Sequence, residues 1–149
     1  MLSELPADRL AIELTEHARI TDYPALSEAL TGLRARGVRL MIDDVGAGFA
    51  SLHHILRLAP DAIKLDRSLT SGIEADPARR ALAAALVTFA GEIGATIIAE
   101  GIETEDELAA LQALGVERGQ GFHLGRPRPI SAVFHEHPGS LGSRLPAPA

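Results

Sequence analysis

The chain has 149 residues, 46% hydrophobic and 23% charged, with a formal net charge of −6 and an isoelectric point of about 5.5. That length holds one domain or less, and the acidity argues against non-specific binding to DNA or other nucleic acid. There is no cysteine, which excludes disulfides and thiolate metal sites. Residues 1–9 carry no basic stretch followed by an apolar one, and no apolar run reaches membrane-span length. A cytoplasmic location is the default expectation.

Strands and helices are expected to alternate. Residues 9–15 (RLAIELT) read as a strand with acids at its end. Thr21 or Asp22 caps a helix that starts near Pro24, carries Leu26, Leu30 and Leu33 on one face, and stops at Gly37. Residues 38–44 (VRLMIDD) form the second strand and run into a glycine-rich turn, and residues 49–57 form a short helix. Residues 61–66 (DAIKLD) form the third strand. Asp76 caps and Pro77 opens the longest helix, with Leu82, Leu86, Phe89 and Ile93 as its apolar stripe and Gly94 as its end. Residues 95–101 (ATIIAEG) form the fourth strand. Thr104 and Glu107 make a capping box for a helix over 105–114, closed by Gly115. A weaker fifth strand covers 116–122, and the Pro-, Gly- and Ser-rich tail from 138 to 149 is expected to be disordered, leaving one domain over 1–137.

Such alternation implies parallel β/α units. Glu13, Asp43, Lys64, Glu100 and Gln120 each fall at or near the C-terminal end of a successive strand. Polar groups delivered by five consecutive strands to one rim are the pattern of a barrel active site, whereas a doubly wound sheet concentrates its ligand groups at one switch point. Barrels usually take about 250 residues and eight strands. The expected fold is therefore α/β, a partial TIM-type (β/α)8 barrel comprising roughly its last five β/α units.

The most informative stretch is MIDDVGAGFASL, 41–52. A buried strand there ends in two adjacent carboxylates. Unpaired buried charge is expensive, so the usual reason for such a pair is a bound cation. The competing reading makes Asp43 a strand-end acid and Asp44 a turn acid; the other rim groups in register favour a site. Lys64 lies between apolar Ile63 and Leu65, so it faces either a barrel interior or solvent. Glu100 could instead serve a helix dipole, a role that Glu103 fills better. His53 and His54 are expected to be exposed on the short helix, and His123 to serve packing or face solvent.

These motifs resemble the EAL domain of bacterial cyclic di-GMP phosphodiesterases. The resemblance rests on ELTE (13–16), IDDVGAGFASL (42–52), DAIKLDRS (61–68), AEGIET (99–104) and GQGFHLGRP (119–127), and covers roughly residues 9 to 130. It implies a two-metal hydrolase using Mg²⁺ or Mn²⁺ to convert cyclic di-GMP to linear pGpG. By that resemblance Glu13 and Asp43 hold the first ion, Asp43 bridges to a second, and Asp44 helps bind the second. Lys64 orients the water between them, and Glu100 is a general base or metal ligand. Gln120 lies at the substrate rim, and Glu16 anchors the loop after Asp44, a loop linked to dimerisation. Hard cations want carboxylate oxygen, and two ions about 3.5–4 Å apart activate water and stabilise charge on phosphate.

The sequence also departs from the family's pattern. The Glu-Ala-Leu signature, whose Glu is a metal ligand, is absent. The family's metal-binding Asn lies upstream of the matched region. Val45, Ala47, Phe49 and Ala50 stand where Phe, Thr, Tyr and Ser are common, while Gly46, Gly48 and Ser51 remain. Three readings stay open: a phosphodiesterase, a catalytically silent module that binds cyclic di-GMP or a protein, and a remnant with no independent function, which a homodimer or a missing N-terminal segment supplied in trans would rescue.

Overall fold

A computed structural model describes residues 5–15, 18–46 and 50–129. Glu16, residues 47–49 of the glycine-rich loop and the 138–149 tail lie outside the described residues, as do the side chains of Ala50 and Ser51. Among these residues five strands, Ala11–Thr15 (β1), Arg39–Val45 (β2), Ala62–Leu65 (β3), Thr96–Ala99 (β4) and Arg118–Gly119 (β5), form one sheet in the order β1-β2-β3-β4-β5. Every neighbouring pair is parallel. A doubly wound sheet reverses direction at a switch point; this order never reverses, and the chain forms part of a (β/α) barrel.

Among the described residues, five α-helices alternate with or follow the strands: Tyr23–Arg34 (α1), Ala50–Leu58 (α2), Arg67–Thr70 (α3), Pro77–Glu92 (α4) and Glu105–Ala113 (α5). Their starts are set by local chemistry. Of the two candidate caps for α1, Asp22 does the work, accepting from the Ala25 amide at 2.9 Å. Asp76 accepts from Ala78 and Arg79 at the start of α4. The Thr104–Glu107 capping box forms as expected at α5. The α3 turn was not expected. Asp66 caps it through the Ser68 amide, and four residues are too few to show a helical period.

The outward faces of β2, β3 and β4 meet the helices in one core that includes Ile42, Val45, Ile55, Ile63, Leu65, Leu69, Ile73, Leu86, Ile97 and Leu111. Each such Leu or Ile contributes about 1.5–3 kcal/mol through burial. A smaller cluster of Leu30, Leu40 and Leu58 joins α1 and α2 to the sheet.

Three expectations need correction. The stripe of α4 is rotated: Ala83, Leu86 and Ala90 are buried, while Leu82 and Ile93 are exposed. Alanines at the contact let the helix lie close to the sheet, so its bulkier apolar residues fall at the flanks. His54 is buried, and its Nδ1 lies 2.8 Å from the Tyr23 hydroxyl, joining α2 to α1. His53 remains exposed, with its ring edge-on to Tyr23. The fifth strand is only two residues long, because the chain turns after Gly119 into a loop pinned to Ile102. A Cβ on Gly121 would lie 2.1 Å from the Ile102 carbonyl oxygen, so only glycine permits that approach.

Candidate functional site

The rim at the C-terminal ends of the strands gathers the expected polar residues. Lys64 is buried, and its Nζ lies 3.2 Å from Glu13 Oε1, 3.1 Å from Asp43 Oδ1 and 2.7 Å from Glu100 Oε1. An ammonium has three donors, and each meets a carboxylate. The alternation that places Ile63 and Leu65 against the helices turns Lys64 to the opposite, interior face. Gln120 follows β5 and donates from Nε2 to Glu100 Oε1 at 2.6 Å. Four strands thus supply the carboxylate and ammonium groups, and the fifth adds an amide.

The paired aspartates reach one site through a bulge. Ile42 pairs with Ile63 and Val45 with Leu65, so Asp43 and Asp44 together oppose Lys64 alone. Simple alternation would send their side chains to opposite faces. The extra residue, with Asp44 at φ +62°, breaks that alternation. Asp tolerates this left-handed conformation better than most residues. The Asp44 amide also donates to Asp43 Oδ1 at 2.9 Å. As a result, one carboxylate oxygen from each of Asp43, Asp44 and Glu100 lies within 4.8 Å of the others.

Glu13 is not in that triad. It stands on the edge strand β1, half exposed, against Lys64. Glu100 stands with the two aspartates. Glu16 lies outside the described residues. His123 pairs with Glu105 at 2.9 Å, apart from the triad.

The electrostatics are those of a crowded acidic site. Burial opposes the Lys64 charge, but hydrogen bonds to Glu100, Asp43 and Glu13 outweigh it and hold the ammonium above the ordinary lysine range. Burial raises the Glu100 carboxyl; Lys64 opposes that rise, and Asp43 and Glu13 add to it. Three carboxylates around one ammonium, with Asp44 close by, leave a local excess of negative charge. Hard oxygen donors with such an excess suit a divalent cation of the Mg²⁺ or Mn²⁺ type. Beside them lies a cleft of about 470 Å³ lined by Arg67, Gly101, Glu103, Gln120, Phe122 and Arg126, among others. The Arg126 guanidinium stacks 4.6 Å over the Phe122 ring.

Fold and rim define the class: a (β/α)-barrel domain with a carboxylate site at the C-terminal ends of its strands. The chain belongs to the EAL-domain family, whose model matches residues 2–127. Among its relatives is the cyclic di-GMP phosphodiesterase NbdA of Pseudomonas aeruginosa, 37% identical over 129 residues, which span 87% of this chain and 16% of NbdA. The cyclic di-GMP phosphodiesterase PA2567 of the same organism is 33% identical over 83% of this chain and 21% of its own length. Among solved structures, the EAL domain of Mycobacterium smegmatis DcpA superposes with a TM-score of 0.83 at 33% identity, covering 89% of this chain and 59% of that one. Klebsiella pneumoniae BlrP1, in a manganese and cyclic di-GMP complex, gives 0.77 at 37% identity over 85% of this chain and 32% of BlrP1. The chain spans a minor part of the curated relatives it matches. Among the described residues no helix is long and apolar enough to cross a membrane.

Proposed function

We propose that this chain carries the acidic rim of a cyclic di-GMP phosphodiesterase site, acting in the cytoplasm. The observation that carries the reading is the convergence of Asp43, Asp44 and Glu100 within 4.8 Å, with Lys64 beside them. Family membership and the cyclic di-GMP phosphodiesterases NbdA and PA2567 among its relatives support the substrate class.

In this reading Asp43, Asp44 and Glu100 hold Mg²⁺ or Mn²⁺, and Glu13 adds a ligand from β1. Such ions, when bound, make water a nucleophile near neutral pH and stabilise charge on phosphate oxygens. Lys64 keeps its proton throughout, because three carboxylates surround it. It therefore donates hydrogen bonds and balances charge, and does not act as a base. Glu100 acts here as a metal ligand and not as a base, because a carboxylate that shares a cation with Asp43 and Asp44 stays ionised. The water oxygen bonds to phosphorus as one P–O ester bond breaks; a proton from that water ends on the departing oxygen, which leaves as a hydroxyl, and cyclic di-GMP becomes linear pGpG. Gln120 fixes the Glu100 carboxylate and faces the adjoining cleft. Phe122 and the Arg67 and Arg126 guanidiniums in that cleft suit a base and a phosphate.

The outer edge of β1 pairs with no other strand among the described residues. It is the place where a second copy or an N-terminal segment in trans would add strands and further ligands. The test is cyclic di-GMP hydrolysis by the purified chain with Mn²⁺, against Asp43→Ala and EDTA controls. Turnover that both controls abolish supports the reading. No turnover from folded protein refutes unaided catalysis, and saturable calorimetric binding of cyclic di-GMP in that case indicates a silent binding module.

A further inference from the structure

The geometry points to Thr70 as a positioning residue for Glu100. This inference rests on the metal-holding reading of Asp43, Asp44 and Glu100 above. Thr70 is fully buried on α3, and its hydroxyl donates to the Glu100 carbonyl at 2.5 Å. The Arg67 carbonyl lies 3.4 Å from the same hydroxyl. A hydroxyl has one proton, and the shorter contact takes it. On its other side, the Glu100 amide donates to the Leu65 carbonyl at 3.0 Å.

Both anchors of the Glu100 backbone therefore come from the chain segment that follows Lys64. Leu65 is the next residue, and Thr70 ends the α3 turn. Glu100 needs such anchors because it stands past the last residue of β4 and before Gly101, whose φ is +67°. Two further links tie the same segments together. The Gly72 amide donates to Glu107 Oε1 at 3.0 Å, and Arg67 pairs with Glu103 at 2.9 Å. The chain from Lys64 to Thr70, closed by these bonds, sets the distance between the Lys64 ammonium and the Glu100 carboxylate. Partners that bond the ligating group itself change metal affinity about 10–100-fold when removed; Thr70 holds the ligand's backbone instead, so the lower end applies.

The test compares the full chain with Thr70→Val, which keeps the shape and removes the hydroxyl, and Thr70→Ser, which keeps the hydroxyl. Mn²⁺ binding is measured by calorimetry, and amide hydrogen exchange is followed over residues 100–104. T70V is expected to weaken Mn²⁺ binding about tenfold and to speed exchange over 100–104 more than in the α4 core, while T70S restores both. Equal Mn²⁺ affinity in T70V and the parent chain would overturn the inference, and the metal reading would stand. If no variant, nor the parent, binds Mn²⁺, the metal reading fails. Exchange then decides the role of Thr70: unchanged rates in T70V overturn it, and a rise reversed by T70S supports it. A T70V chain that is unfolded leaves the decision to T70S, in which parent-like exchange and affinity support the hydroxyl's role and loss of either overturns it.

Discussion

Replacing Lys64 by Met tests the electrostatic core of the site, because it keeps length and volume and removes only the charge. Three carboxylates then face one another without a cation. Glu13 is half exposed, so its pair with Lys64 is screened and contributes under about 1 kcal/mol. Asp43 and Glu100 are each only 16% exposed in their side chains, against 9% for Lys64. Removing one partner of a buried pair costs about 3–5 kcal/mol. Glu100 limits that cost, because burial already raises its carboxyl and it takes up a proton more readily once the ammonium is gone. The lower end, about 3 kcal/mol, is therefore expected. For a domain of this size that lowers the melting midpoint by about 9 °C. The assay is thermal unfolding followed by circular dichroism at neutral pH in EDTA, then with excess Mn²⁺. The ion should raise the midpoint of Lys64→Met more than that of the parent chain, since it replaces the lost positive charge. A midpoint within about 2 °C of the parent in EDTA would refute the argument that Lys64 is the buried counter-ion of this rim.

Other outcomes follow from individual contacts. Burial opposes the charge on Glu107, but amides of Glu103, Gly72 and Thr104, with Arg67 nearby, hold its carboxyl below the ordinary range. Its stabilising contribution is present above the unfolded value of about 4.3 and is lost as pH falls through the lower folded value. Urea melts at stepped pH should show a shallower acid-side loss for Glu107→Gln than for the parent chain; parallel slopes would contradict this. Glu100 works in the opposite sense: its contribution is full below the ordinary glutamate range and is lost as pH rises through its raised value. Ala59, just past α2, has φ +44°, a conformation that favours glycine. Ala59→Gly is expected to stabilise the chain by about 1 kcal/mol, read as a higher urea midpoint at unchanged slope. A lower midpoint would show that unfolded-state entropy outweighs the relief of strain.

Much of the rim was legible before the fold. Glu13, Asp43, Lys64, Glu100 and Gln120 lie within two residues of the C-terminal ends of successive strands, and strand order alone brings those ends together. The caps at Asp22, Asp76 and Thr104 were also legible, because an N-cap bond spans only two or three residues. The face of α4 was not, because helical period permits several apolar stripes and the sheet selects the one that packs closest. His54 was misjudged for a similar reason: its burial depends on Tyr23, thirty-one positions away in the chain.

The sequence by itself determined which acids, which lysine and which β/α alternation this protein has, since those follow from residue type and short-range periodicity. Only the tertiary structure decided how they meet. The Asp43–Asp44 bulge against Lys64, the grouping of Glu100 with the aspartates and the Thr70 bond to the Glu100 carbonyl all depend on register between strands. Register is a long-range property, set by how side chains from distant segments fill one core.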